Sequence, residues 1–207
     1  CTQARCIAGG ATGRNGGHLW PHGAPEEQTA EEMRQLIKEW EIDCELVNAG
    51  SVSFQLSADD GNATSSGSTT DALSAEELQQ RMGLEAGAYA DHGGTLYPKA
   101  CRLWPAKLVR GVAERLFAQH GARIQVIEHT AVEEVLSNDA ATSEAGSDDH
   151  PCAVRIRGGQ TIGCRHVVIA TNGWTNKVLP ELSEWIFPCK NQVVCTAPLS
   201  LRWQHGL

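Results

Sequence analysis

With 207 residues, 41% of them hydrophobic and 20% charged, the chain has the composition of a folded globular protein and enough length to bury a core. Its net charge of −8 leaves no basic footprint for a phosphate backbone, which argues against a nucleic-acid partner. No apolar run approaches the ~20 residues of a membrane-spanning helix, and no signal-peptide pattern is visible, so no membrane association and a cytoplasmic location are expected. Both ends interrupt patterned sequence, so the chain reads as incomplete at both, and a targeting signal could lie outside it.

Residues 9–17, GGATGRNGG, are dense in glycine, which permits backbone angles closed to other residues. A helix follows. Thr29 with Glu32 fits a capping box, and Met33, Leu36, Ile37 and Trp40 recur on one apolar face. Ser51–Leu56 (SVSFQL) alternates polar and apolar residues and reads as a half-buried strand. Residues 58–73 are rich in Ser, Thr, Gly and Asp and read as a low-complexity insertion. Asn62-Ala63-Thr64 within it fits a glycosylation acceptor, a triplet common by chance. Ser74 with Glu77 suggests a second capped helix, running to about Met82.

Pro105 suits the first turn of a third helix, whose Leu108, Val109, Val112, Ala113, Leu116 and Phe117 line one side, ending near His120. Arg123–Ile127 (RIQVI) and Ala131–Leu136 read as strands. Residues 137–150 form a second polar low-complexity insertion, an enlarged hairpin loop. Ala153–Arg157 and Gln160–Gly163 read as strands joined through Gly158-Gly159. His166–Ala170 (HVVIA) is a wholly apolar strand that stops at Thr171-Asn172-Gly173. A short helix around Lys177–Leu179 and a strand over Gln192–Thr196 complete the reading. Strands separated by amphipathic helices point to the α/β class, with an antiparallel component from the hairpin.

The eight cysteines contain no CxxC pair and no matching histidine cluster, so no metal site is expected and reduced, buried thiols are the preferred reading. No triad or carboxylate pair stands out, and the catalytic residues are unknown. Two elements suit a ligand. Backbone N–H groups of a glycine-rich loop can converge on an anion, and the carboxyl end of a strand in an α/β fold, here ATNGW, is where such folds place ligands. Taken singly, each is as well explained by a tight structural turn.

In this order and spacing, GGATGRNGGHLWP, the helix–strand unit from Leu103 to Val135, and HVVIATNGW resemble the D-amino-acid-oxidase-like superfamily of FAD-dependent oxidoreductases. The likeness is greatest to the branch with a GATGRNGGH-type loop, which includes gamma-glutamylputrescine oxidase-like enzymes. Ile186-Phe187-Pro188 followed by Asn191-Gln192-Val193 is similar to that family's I-x-P-x-x-x-Q-V strand entry. The resemblance implies a partial FAD/NAD(P)-binding Rossmann-like domain with part of an antiparallel-sheet substrate domain, over residues 1–207. It implies FAD as cofactor, a small-molecule amine or amino acid as substrate, and oxidation of a C–N bond to an imine.

By the same resemblance Ala11, Thr12, Gly13, Arg14, Asn15, Gly16 and Gly17 lie along the diphosphate, ribityl chain and flavin ring. Val132 meets adenine through its backbone, and Ala170, Thr171, Asn172 and Gly173 pass the nucleotide half of the cofactor. His18 and Trp20, just after the loop, read as packed residues. The family's GxGxxG turn does not occur in these residues, and Gln3-Ala4-Arg5 stands where the family often has Glu-Ala-Arg. Two other readings remain open: a degenerate, non-catalytic relative, and another flavin or nicotinamide oxidoreductase on the same scaffold.

Overall fold

The computed structural model describes residues 4–57, 70–83, 91–136, 152–190, 192 and 197. The chain divides into two compact units, one of Ala11–Leu116 with Val193–Leu207 and one of Cys1–Gly10 with Phe117–Gln192.

In the Ala11–Leu116 unit, β1 (His18–Leu19) pairs antiparallel with β5 (Cys101–Arg102), and α1 (Ala24–Glu39) lies between them in sequence. The helix starts nearly two turns before the expected Thr29 cap. Gly23 is its extended N-cap, Pro25 sits in the first turn, and Glu26 and Glu27 follow. Proline's fixed φ is already helical and its missing N–H costs nothing there, so Pro25 outcompetes the later signal. Thr29 instead turns its hydroxyl back onto the Pro25 carbonyl, 3.0 Å away. Of the expected apolar face, Ile37 is buried, and Ala30 joins it.

A three-stranded antiparallel sheet follows, ordered β2 (Ser51–Phe54), β4 (Gly94–Tyr97), β3 (Asp71–Leu73). The insertion expected over 58–73 therefore ends sooner, because Asp71–Leu73 is a strand. Its polar composition is outweighed by pairing with β4 and by Leu73, which is buried together with Leu78 under Val52, Phe54, Met82 and Leu96. Residues 58–69, with Asn62-Ala63-Thr64, lie outside the described residues.

Leu78 is carried by α2 (Ala75–Met82), whose capping box is as expected. The Glu77 N–H donates to Ser74 Oγ at 3.2 Å, and the Ser74 N–H donates to Glu77 Oε2 at 2.9 Å. The Ser74 backbone N–H, then its hydroxyl, hold the Glu77 carboxyl below its ordinary value. A depressed carboxylate contributes above its unfolded value, so this support fades as pH falls from the ordinary glutamate range through the lower folded one. Replacing Ser74 by Ala is expected to cost about 1 kcal/mol of stability in a denaturant melt.

The third helix, α3 (Pro105–His120), starts at Pro105 as expected. Its covered side is narrower than the periodicity implies: Ala106 is buried, Leu108, Val112, Ala113 and Leu116 are half-buried, and Val109 and Phe117 are exposed.

The other unit holds a second antiparallel sheet, ordered β6 (Val132–Leu136), β7 (Cys152–Ile156), β8 (Thr161–Cys164). β6 and β7 keep register from Val132↔Ile156 to Leu136↔Ala153, with a bulge between Val132 and Glu134. The polar stretch joining them lies outside the described residues. β7 and β8 turn through Gly158 and Gly159, both in the left-handed region at φ 101° and 86°, where a side chain would be strained.

Three expectations fail here. Arg123–Ile127 forms no continuous strand: Gly121–Arg123 is a 3-10 turn, residues 124–126 are irregular, and Ile127 alone makes a β-bridge. His166–Ala170 is not a buried strand either. Among the described residues no strand lies beside it to take its hydrogen bonds; Val167 and Ile169 are half-covered, and Val168 is 89% exposed. Every strand pair among the described residues is antiparallel. The short helix near Lys177 is two 3-10 turns, Asn172–Lys177 and Pro180–Leu182. Of the strand expected over Gln192–Thr196, only Gln192 lies within the described residues.

Candidate cofactor-binding site

The glycine-rich loop is more ordered than its composition implies. Ala11–Arg14 forms a single 3-10 turn, and the Asn15 side chain staples it. Its amide N–H groups donate to the carbonyls of Ala11 at 3.3 Å and Thr12 at 2.9 Å, while its oxygen accepts the Gly17 N–H at 2.9 Å. Carbonyl lone pairs repel anions, so covering two of them removes an obstacle to a phosphate approaching the loop. Ala11, Gly13, Arg14, Asn15 and Gly16 are exposed and Thr12 is half-buried. The exposed Arg14 guanidinium supplies the fixed positive charge and the Thr12 hydroxyl a further donor. This donor set fits the anionic diphosphate of FAD.

Gly17 anchors the loop. It is buried, its φ is 72°, and a Cβ there would fall inside the Leu103 carbonyl oxygen. The Leu103 N–H in turn donates to the Gly17 carbonyl at 2.9 Å. Gly17 is thus fixed by the protein's own packing just before α3. Sequence reading singled out the glycine but not this partner, which lies far along the chain.

After the loop, His18 is exposed in β1, which corrects the packed reading for that residue. The Trp20 ring lies 5.2 Å from His22 and 5.0 Å from Tyr97, centroid to centroid, in keeping with the packed reading. Its indole N–H is buried and finds no hydrogen-bond partner among the described residues. Nearby in sequence to Tyr97, Cys101 is buried, as is Cys44; desolvation pushes both thiols up from their ordinary value.

The remaining candidates belong to the other unit. Val132 is half-buried at the start of β6, with the Ala131 carbonyl accepting the Arg157 N–H at 2.8 Å. Ala170, Thr171 and Asn172 are exposed. Asn172 adopts the left-handed φ of 50°, which asparagine tolerates better than most residues. The buried Thr175 ties the turn together. Its hydroxyl donates to the Asn172 carbonyl at 2.7 Å and stands 3.1 Å from the Thr171 hydroxyl. A Cβ on Gly173 would lie 2.9 Å from Pro188 Cα, so glycine is needed there for backbone packing. Pro188 was noticed as part of the tail motif, but nothing local in the sequence ties it to Gly173.

Among the described residues no three His, Cys, Asp or Glu side chains gather as a metal site. No described helix is long and apolar enough to cross a membrane.

Comparison with known proteins gives a consistent picture. Glycine oxidase from Geobacillus kaustophilus is similar in structure, with a TM-score of 0.66 and 20% identity over 87% of this chain and 50% of that one. Glycine oxidase from Bacillus cereus gives 0.62 and 18%, over 86% and 50% of the two chains. An L-amino acid deaminase from Proteus vulgaris gives 0.63 and 15%, over 87% and 48%. The chain therefore spans about half the length of these structures, and at such identities the likeness is one of fold. No curated protein matches the chain. The family model for FAD dependent oxidoreductases of the DAO type matches residues 3–206. This chain belongs to the DAO family of FAD dependent oxidoreductases.

Proposed function

We propose that the protein of which this chain is part oxidises the C–N bond of a small amine or amino acid to an imine. The observation that carries the reading is the family match across residues 3–206, running through the stapled loop of Ala11–Gly17. When bound, FAD would supply the hydride-accepting chemistry needed at the carbon beside the amine nitrogen, and the resulting imine would be open to hydrolysis by water. The chain's own residues bind and orient. Ala11, Thr12, Gly13, Arg14, Asn15, Gly16 and Gly17 follow the diphosphate and ring, Arg14 as the charged contact. Val132 offers its backbone to adenine, and Ala170, Thr171, Asn172 and Gly173 border the nucleotide half.

The test is flavin content together with peroxide release by the longer protein against a panel of amines and amino acids. Stoichiometric FAD that is bleached by an amine under anaerobic conditions supports the reading. A flavin reduced only by a nicotinamide cofactor, or no flavin at all, overturns it. Arg14→Ala is expected to weaken FAD binding about ten- to a hundredfold, from the roughly 1.5–3 kcal/mol of a charge-assisted hydrogen bond. Titration of apoprotein with FAD measures this. The 207 residues alone, which contain no GxGxxG, are proposed to retain FAD poorly; their purification with stoichiometric yellow flavin would contradict that.

A further inference from the structure

The β7–β8 pair sets two cysteines directly opposite one another. Cys152 opens β7, Cys164 closes β8, and their Cα atoms are register partners. Facing residues of antiparallel strands project from the same side of the sheet, with Cα atoms about 4.5–5.5 Å apart. That spacing lies inside the roughly 4.4–6.8 Å window in which a disulfide closes without moving the backbone. The pair also sits at the end of the ladder farthest from the Gly158-Gly159 turn.

Both thiols are free and only half-buried, so a small oxidant can reach them. Desolvation first, and the neighbouring Cys152 second, raise Cys164 above its ordinary value. The other described cysteines lack this combination. Cys44 and Cys101 are 1% and 2% exposed, while Cys6 and Cys189 stand in no strand register.

We propose that Cys152 and Cys164 are a redox modification site, closing reversibly into a cross-strand disulfide that clamps the β7–β8 hairpin. With a hydroperoxide as oxidant, one thiolate attacks the peroxide oxygen and becomes a sulfenic acid, releasing water from hydrogen peroxide or an alcohol from an alkyl peroxide. The second thiol attacks that sulfur and expels a water, so two thiols lose two hydrogens and the peroxide O–O bond is reduced. A dithiol reverses the step by exchange. Because the reactive form is the thiolate, closure accelerates as pH rises toward the elevated Cys164 value.

The test is to treat the protein with graded hydrogen peroxide, block free thiols, digest and read the cysteine peptides by mass spectrometry. The expected product is a linked pair of peptides containing Cys152 and Cys164, two hydrogens lighter than the separate peptides and released by dithiothreitol. Cys44 and Cys101 stay blockable only after denaturation. Cys152→Ser is expected to abolish the link and to leave Cys164 as a trappable sulfenic acid. Exposed Cys189 serves as the internal gauge of oxidant strength. The proposal is overturned if both thiols remain free once Cys189 is oxidised, if either pairs with a different cysteine, or if Cys152 and Cys164 oxidise separately to sulfinic acids.

Discussion

Gly17→Ala is expected to cost about 3 kcal/mol or more of stability and to remove most flavin binding from the longer protein. Two effects add. At φ 72° an alanine sits in the left-handed region, a strain of roughly 1–2 kcal/mol. Its Cβ also falls inside the Leu103 carbonyl oxygen, so the loop and the start of α3 must separate. That separation breaks the 2.9 Å bond from the Leu103 N–H to the Gly17 carbonyl, worth about another 1 kcal/mol and more if either group stays buried unpaired. A chemical denaturation series gives the first quantity and the 450 nm flavin band the second. An Ala variant as stable as the parent would show that the close approach of Gly17 to Leu103 does not exist in solution.

The other large effect lies in the sheet of β2, β4 and β3. Leu78 is 0% exposed, and its side chain fills the space between Leu73, Val52, Phe54, Met82 and Leu96. Leu78→Ala is expected to cost about 3–4 kcal/mol, since the lost transfer energy is joined by a cavity that a β-sheet closes only in part. Amide exchange in β2 and β4 should speed accordingly. Val168→Ala, at a side chain 89% exposed, should change stability by less than about 0.5 kcal/mol in this chain. If Val168→Ala costs as much as Leu78→Ala, the apolar run His166–Ala170 is packed in solution as a buried strand after all.

Where local chemistry settles a conformation, the sequence was a good guide. Ser74 and Glu77 cap α2, Pro105 starts α3, and Gly158-Gly159 turns the β7–β8 hairpin, each through atoms a few residues apart. Two competing local signals misled at α1, where Pro25 prevails over Thr29 because its fixed φ is already helical and its missing N–H costs nothing in the first turn. The larger misses concern strands. Asp71–Leu73 looks too polar, yet β4 gives it partners; His166–Ala170 looks ideal, yet no described strand pairs with it. Pairing is a property of two segments, and apolar content reports on only one of them.

The candidate site divides the same way. The permissive residues Gly17, Asn172 and Gly173 were visible as a type, since few side chains tolerate those angles or contacts. What makes them necessary, Leu103 for one and Pro188 for another, is remote in sequence and emerges only from the fold. The staple by Asn15 is local, but nothing in the composition distinguishes it from any other loop asparagine.

The β6–β7 connection has one more consequence. Leu136 and Ala153 are register partners although residues 137–152 lie between them in sequence. The entropy of closing a connection between paired strands grows only logarithmically, about 0.6 kcal/mol for each doubling of its length. Residues can therefore be gained or lost there while the ladder beside them stays unchanged. That makes the β6–β7 connection a natural place for the protein to vary in length, and a permissive point at which to graft a reporter.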